Sequence, residues 1–134
     1  MHTGHCHCKA ASYAFDGAPL KATFCHCSLC RRITGSAFAP WCEVPAADLR
    51  WSGRETLERY ALTDRLAILF CRECGAPLVA THTKWPETAF LLMGALEGDA
   101  GITPEYHIFA GSKAPWHEIT DSLPQYERWR EDAS

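Results

Sequence analysis

The spacing of the cysteines constrains this chain more than any other feature. Eight cysteines in 134 residues fall as Cys6-x-Cys8, Cys25-x-Cys27-x-x-Cys30, an isolated Cys42, and Cys71-x-x-Cys74 followed by Gly75. A disulfide between neighbours such as Cys6 and Cys8 would close a small, strained ring, whereas close pairs and triples suit a tetrahedral metal. The stretch around Met1 to Cys8 lacks the basic start and apolar run of a secretory signal, and no run of about 18 apolar residues occurs. The expected compartment is therefore the reducing cytoplasm, where metal ligation explains so many thiols better than a disulfide framework.

The length fits one domain, residues 1–134, with every motif belonging to one fold. A hydrophobic share of 47% with 22% charged residues is globular. Thirteen basic against 16 acidic residues give a net charge of −3, which argues against a nucleic-acid or anionic-membrane partner.

Between the cysteine motifs the sequence reads as about eight short strands, which predicts a mainly β fold of antiparallel sheets. Residues 11–15 and 20–24, joined by the turn Asp16-Gly17-Ala18-Pro19, are expected to form a hairpin that delivers the cysteine triple. Further strands are expected over 36–44, 56–62, 66–70, 78–83, 89–96 and 105–109. A helical turn is expected from Cys30 through Ile33, and a short terminal helix over 126–131.

Zinc takes four ligands, and structural sites are commonly built from two short knuckles offering two cysteines each. Cys71-Arg-Glu-Cys74-Gly75 has that form, the glycine suiting a turn that needs positive φ. Once the triple is kept together, Cys6 and Cys8 are the remaining pair, so Cys6, Cys8, Cys71 and Cys74 are the expected structural site. It would clip the N-terminus to the middle of the chain.

Cys25, Cys27 and Cys30 offer three thiolates in six residues, the pattern of a catalytic zinc with one open position. That position could take water, a substrate thiolate, Cys42, His26 or a distant histidine, and the spacing leaves these alternatives open. Arg31 and Arg32 follow directly. Each could donate hydrogen bonds to sulfur or grip a substrate carboxylate. His26 is expected to point into solvent, Cys42 to act as a small buried hydrophobe, the five tryptophans to pack the core or its rim, and His107 and His117 to be packing or surface residues.

Gly4-His-Cys6-His-Cys8, Cys25-His-Cys27-Ser-Leu-Cys30-Arg31-Arg32 with Gly35, Cys71-x-x-Cys74-Gly75 and the segment Phe109 to Trp116 together resemble, in order, the landmarks of the glutathione-dependent formaldehyde-activating enzymes (the GFA family) and their centromere protein V relatives. The resemblance spans nearly the whole chain. It implies a β-tent of twisted antiparallel sheets around zinc knuckles and two zincs per chain. It implies the same ligand partition as the spacing, with Cys6, Cys8, Cys71 and Cys74 structural and Cys25, Cys27 and Cys30 catalytic. It also implies carbon–sulfur lyase or synthase chemistry on a small thiol adduct, with glutathione and formaldehyde as the founding reactants. The competing expectation is a zinc-stabilised module without chemistry that binds a small thiol or a protein partner. A thioredoxin-like role for Cys71-x-x-Cys74 ranks behind both, because it needs a strand-to-helix context.

Overall fold

The computed structural model describes residues 1–19 and 21–130. Its described residues form ten strands and one α-helix: β1 (His2–His5), β2 (Ser12–Phe15), β3 (Lys21–Cys25), α1 (Ser28–Thr34), β4 (Ala39–Pro45), β5 (Arg50–Ser52), β6 (Leu57–Ala61), β7 (Leu66–Cys71), β8 (Pro77–His82), β9 (Thr88–Leu92) and β10 (Tyr106–Ile108). A seven-stranded sheet runs β10-β3-β4-β9-β8-β7-β6, and a three-stranded sheet runs β1-β2-β5. The named strand pairs are antiparallel except β10 with β3, which is parallel. The fold is thus mainly β, as the short alternating segments predict.

Because side chains alternate across a strand, each face of the larger sheet has its own task. Ala22 of β3, Cys42 and Val44 of β4, Val79 of β8 and Ala89 and Leu91 of β9 pack with Tyr13 and Phe15 of β2, which joins the two sheets face to face. On the opposite face Cys25, Ala39, Trp41, Ile68, Ala80, Leu92, Tyr106 and Ile108 form a second cluster with Cys30 of α1. This second face carries the candidate site.

Three expectations are corrected. The segments 11–15 and 20–24 do not form a hairpin, since β2 pairs with β1 and β5 while β3 pairs with β4 and β10. Their apolar residues meet across the gap between the sheets, and the turn at Gly17 (φ 81°) moves the chain from one sheet to the other; Leu20 lies outside the described residues. Tyr126 to Trp129 are not helical, because the segment lies along β10. His107 N–H donates to Pro124 O at 2.9 Å, Tyr126 N–H to His107 O at 2.9 Å and Phe109 N–H to Arg128 O at 3.0 Å, leaving these groups unavailable to a helix; Glu131 lies outside the described residues. Two strands, β1 and β5, were not expected. His-Thr-Gly-His has no apolar alternation, and Arg-Trp-Ser is three residues long.

Candidate functional site

Two cysteine clusters form where the sequence places them. The Sγ atoms of Cys6, Cys8, Cys71 and Cys74 lie within 4.8 Å of one another, and so do those of Cys25, Cys27 and Cys30. In the first cluster Cys6 and Cys8 are 3.7 Å apart and Cys8 and Cys71 are 3.7 Å apart. A tetrahedron with Zn–S bonds of about 2.3 Å has edges of about 3.8 Å, so these two pairs already have the spacing a zinc requires.

Two tight turns aim the first set. After β7, Gly75 N–H donates to Cys71 O at 2.7 Å and Cys71 N–H donates to Ala76 O at 2.9 Å. Gly75 closes the turn at φ 80°, where a Cβ would be strained. After β1, Cys6 N–H donates to Ala11 O at 3.1 Å, and Ala11 N–H donates to Cys6 Sγ at 3.4 Å. Amides of Ala76 and Cys8 pointing at the sulfur hold the Cys74 thiol down at about 6, readying it for a cation. Cys6 and Cys71 are buried with Ala11 and Leu78, while Cys74 is half-buried and Cys8 exposed, so one side of this cluster belongs to the core between the two sheets.

The second cluster sits where β3 ends and α1 begins. Cys25 is the last residue of β3, Cys27 caps α1 and Cys30 lies in its first turn. Cys30 N–H donates to Cys27 Sγ at 3.3 Å, and the Trp41 indole N–H donates to Cys30 Sγ at 3.4 Å. The neighbouring thiols of Cys25 and Cys30, helped by backbone amides, hold Cys27 as the thiolate, down to about 3. Cys25, which gives its proton toward Cys27 and is buried, is pushed upward. Thiols crowded in this way share negative charge poorly without a cation, and that is the chemistry a zinc relieves.

Among the described residues, no fourth Cys, His, Asp or Glu ligand atom joins this cluster. Cys42 faces the other side of the sheet among Tyr13, Phe15 and Val44, a small buried hydrophobe as expected. Cys25, Cys27 and Cys30 instead line a cavity of about 290 Å³ together with Trp41, Trp85, Phe90, Phe109 and Trp129. Arg31 and Arg32 lie on α1 and do not line it. Arg32 is exposed, and Arg31 carries a buried Nε that has no partner among the described residues.

His26 does not point into solvent, which corrects the expectation for it. Its ring is fully buried, with His26 Nε2 2.7 Å from His107 Nδ1, and His107 Nε2 3.0 Å from both carboxylate oxygens of Asp121. The carboxylate only accepts, so His107 Nε2 carries a proton. With both rings neutral, His107 Nδ1 accepts from His26 Nε2–H, leaving His26 Nδ1 as a buried, unpartnered lone pair. Burial first, and then the closeness of the His107 and His117 rings, pull His26 down to about 4. Phe38 and His117 cover the ring. Together with the backbone bond from His26 N–H to Ile108 O at 3.0 Å, this chain fixes the residue between two candidate ligands. No spacing signals it, since His26 and His107 are 81 residues apart and meet only through the parallel pairing of β3 with β10.

The family described as glutathione-dependent formaldehyde-activating enzyme (GFA) matches residues 1–112. A Halomonas elongata protein carrying that family's name is 29% identical over 124 residues, covering 87% of this chain and 79% of its own. A Schizosaccharomyces pombe protein described as an uncharacterized lyase is 22% identical over 125 residues, covering 93% of this chain and 90% of its own. A crystal structure of a Rhodobacter sphaeroides protein superimposes with a TM-score of 0.62 at 30% identity, covering 76% of this chain and 97% of that one. With its matched residues including both cysteine clusters, this chain belongs to the GFA family.

Proposed function

We propose that the protein is a zinc-dependent carbon–sulfur lyase or synthase acting on the adduct of a small thiol, such as glutathione, with an aldehyde. The observation that carries this reading is the contrast between the clusters. Four cysteine sulfurs within 4.8 Å of one another could complete one tetrahedral shell, while three cysteines line a cavity large enough for a substrate. In the proposal each chain takes two zincs, with Cys6, Cys8, Cys71 and Cys74 holding the structural ion and Cys25, Cys27 and Cys30 the catalytic one.

Zinc at the second site would supply a Lewis-acid position that favours thiolate over thiol and draws electron density from a carbonyl oxygen. The protein's own residues do the rest. Trp41 N–H supports the Cys30 sulfur, the Asp121–His107–His26 chain holds the β3–α1 turn, and the apolar walls exclude water and keep the two reactants close. In synthesis the carbonyl carbon gains a bond to sulfur while its oxygen takes the proton that the thiol gives up. Cleavage reverses both changes, and no oxidant or reductant is consumed. Arg31 and Arg32, which follow Cys30 on α1, are the proposed anchors for a thiol carboxylate that extends beyond the cavity; Arg31 Nε is buried and has no hydrogen-bond partner among the described residues.

No helix among the described residues is long and apolar enough to cross a membrane. A reducing cytoplasm, the compartment proposed here, keeps the seven candidate ligands as thiols. The reading is tested by magnetisation-exchange NMR on S-hydroxymethylglutathione in equilibrium with formaldehyde and glutathione. The zinc-loaded protein is expected to speed the exchange well above the spontaneous rate, and Cys27→Ser to abolish the gain. Exchange no faster than in buffer would sink the proposal.

A further inference from the structure

Along the face that carries Cys25, the strand registers set out the cavity in rows. Thr23 of β3 stands between Tyr106 and Trp41 in the row beyond Cys25, and the next row runs Lys21, Glu43, Phe90 and Ala80. Four residues of strand separate Cys25 from Lys21, about 13 Å at the usual rise. In the near row the side-chain donors of Thr23 and Trp41 are committed within the protein, and the Arg130 guanidinium stands over the Tyr106 ring, 5.2 Å from its centre. Thr23 Oγ1–H donates to Tyr106 O at 2.9 Å, and Trp41 N–H to Cys30 Sγ. The remaining walls near the cluster are aliphatic or aromatic: Leu29, Ile33, Ile108 and Phe109. Charged side chains that line the cavity lie in the far row or at the exposed rim, as Lys21 and Glu43 and as Arg65 and Arg130.

This arrangement suits neither founding reactant as the cavity's occupant. A one-carbon aldehyde would leave most of about 290 Å³ unfilled. Glutathione, with its sulfur at the cluster, would bring two amides against the aliphatic and aromatic walls nearest the cluster, and burying polar groups unpaired is costly. We propose that the cavity accepts an adduct whose bulky apolar group, aromatic or branched, lies against Trp41, Phe90, Trp85 and Trp129, so that the substrate class is the thiol adducts of larger hydrophobic aldehydes or thiols. This rests on the reading of Cys25, Cys27 and Cys30 as a substrate-binding zinc site. The bond changes are those given above, with the apolar group attached to the carbonyl carbon or to the sulfur.

Three of the lining residues are tryptophans, so binding is read directly from their fluorescence in the zinc-loaded protein. Benzyl mercaptan, methanethiol and glutathione are the probes. Benzyl mercaptan is expected to bind at least tenfold more tightly than either of the others, as burial of a ring implies. Ala80→Phe, which fills the cavity from β8, is expected to weaken benzyl mercaptan at least tenfold while the zinc content stays at two per chain. Glutathione binding as tightly as benzyl mercaptan, or benzyl mercaptan no tighter than methanethiol, would overturn the assignment. The comparison of the three thiols on the unsubstituted protein decides this even if Ala80→Phe fails to fold. Tight binding of benzyl mercaptan by a protein that accelerates no carbon–sulfur exchange would remove the lyase reading and support the cavity assignment. Accelerated exchange with no preference for benzyl mercaptan would overturn the cavity assignment and leave the lyase reading standing.

Discussion

At the scale of single residues, the two cysteine clusters differ in what depends on them. Cys27 caps the seven-residue α1 and faces the cavity, whereas the four-cysteine cluster is anchored in the core between the sheets by the buried Cys6 and Cys71. Cys27→Ser keeps a side-chain acceptor for the Cys30 amide, so the variant is expected to melt within a few degrees of the parent while losing one zinc, as read by elemental analysis. His107 is the more sensitive position for folding. His107→Phe keeps a ring in place but removes the acceptor for His26 and the donor to Asp121, leaving a fully buried imidazole unsatisfied at both nitrogens. Such a change destabilises by about 1–3 kcal/mol, to be read from chemical denaturation midpoints. Asp121→Asn, at the exposed end of the chain, is expected to do much less.

At the scale of elements, the knuckles are where sequence and structure correspond most directly. Cys71-x-x-Cys74-Gly75 folds into the turn its spacing predicts, since the ligand spacing and the positive-φ glycine are both local features. Nearly all the strands between motifs are equally local, signalled by alternation and bounded by Pro, Gly or Asp turns, and they appear within a few residues of their expected bounds. What the sequence hid is the non-local pairing. The parallel β3–β10 contact, the sheet-to-sheet packing of β2 on β3 and β4, and the extended run beside β10 all join segments whose own patterns carry no sign of a partner. The His26–His107–Asp121 chain is hidden for the same reason, since a histidine between two candidate ligands carries no local sign of a buried partner.

Gly53 shows how tightly the elements are fitted. Its φ of 72° and the carbonyl oxygen of Ala10, which would lie 1.8 Å from an added Cβ, press the start of the β5–β6 connection against the first knuckle. Gly53→Ala must both strain the backbone and displace that knuckle. A loss of more than about 2 kcal/mol is expected from thermal or denaturant unfolding.

At the scale of the whole molecule, the four-cysteine cluster is a clasp. Cys8 and Cys71 are 63 residues apart in sequence, so a metal held there closes a long loop and fixes the small sheet on the large one. Cys74→Ser is expected to lower Tm by more than about 10 °C, whereas Cys27→Ser does not, and a chelator that strips both sites should unfold the chain cooperatively. Cys74→Ser melting like the parent would show that the clasp carries no folding energy.

The most direct measurement combines zinc per chain by elemental analysis with X-ray absorption at the zinc edge, before and after a thiol is added in excess. The account predicts two zincs, one bound by four sulfurs and the other by three sulfurs and one lighter atom that the added sulfur replaces. Two closed four-sulfur sites indifferent to thiol, or a single zinc per chain, would contradict it.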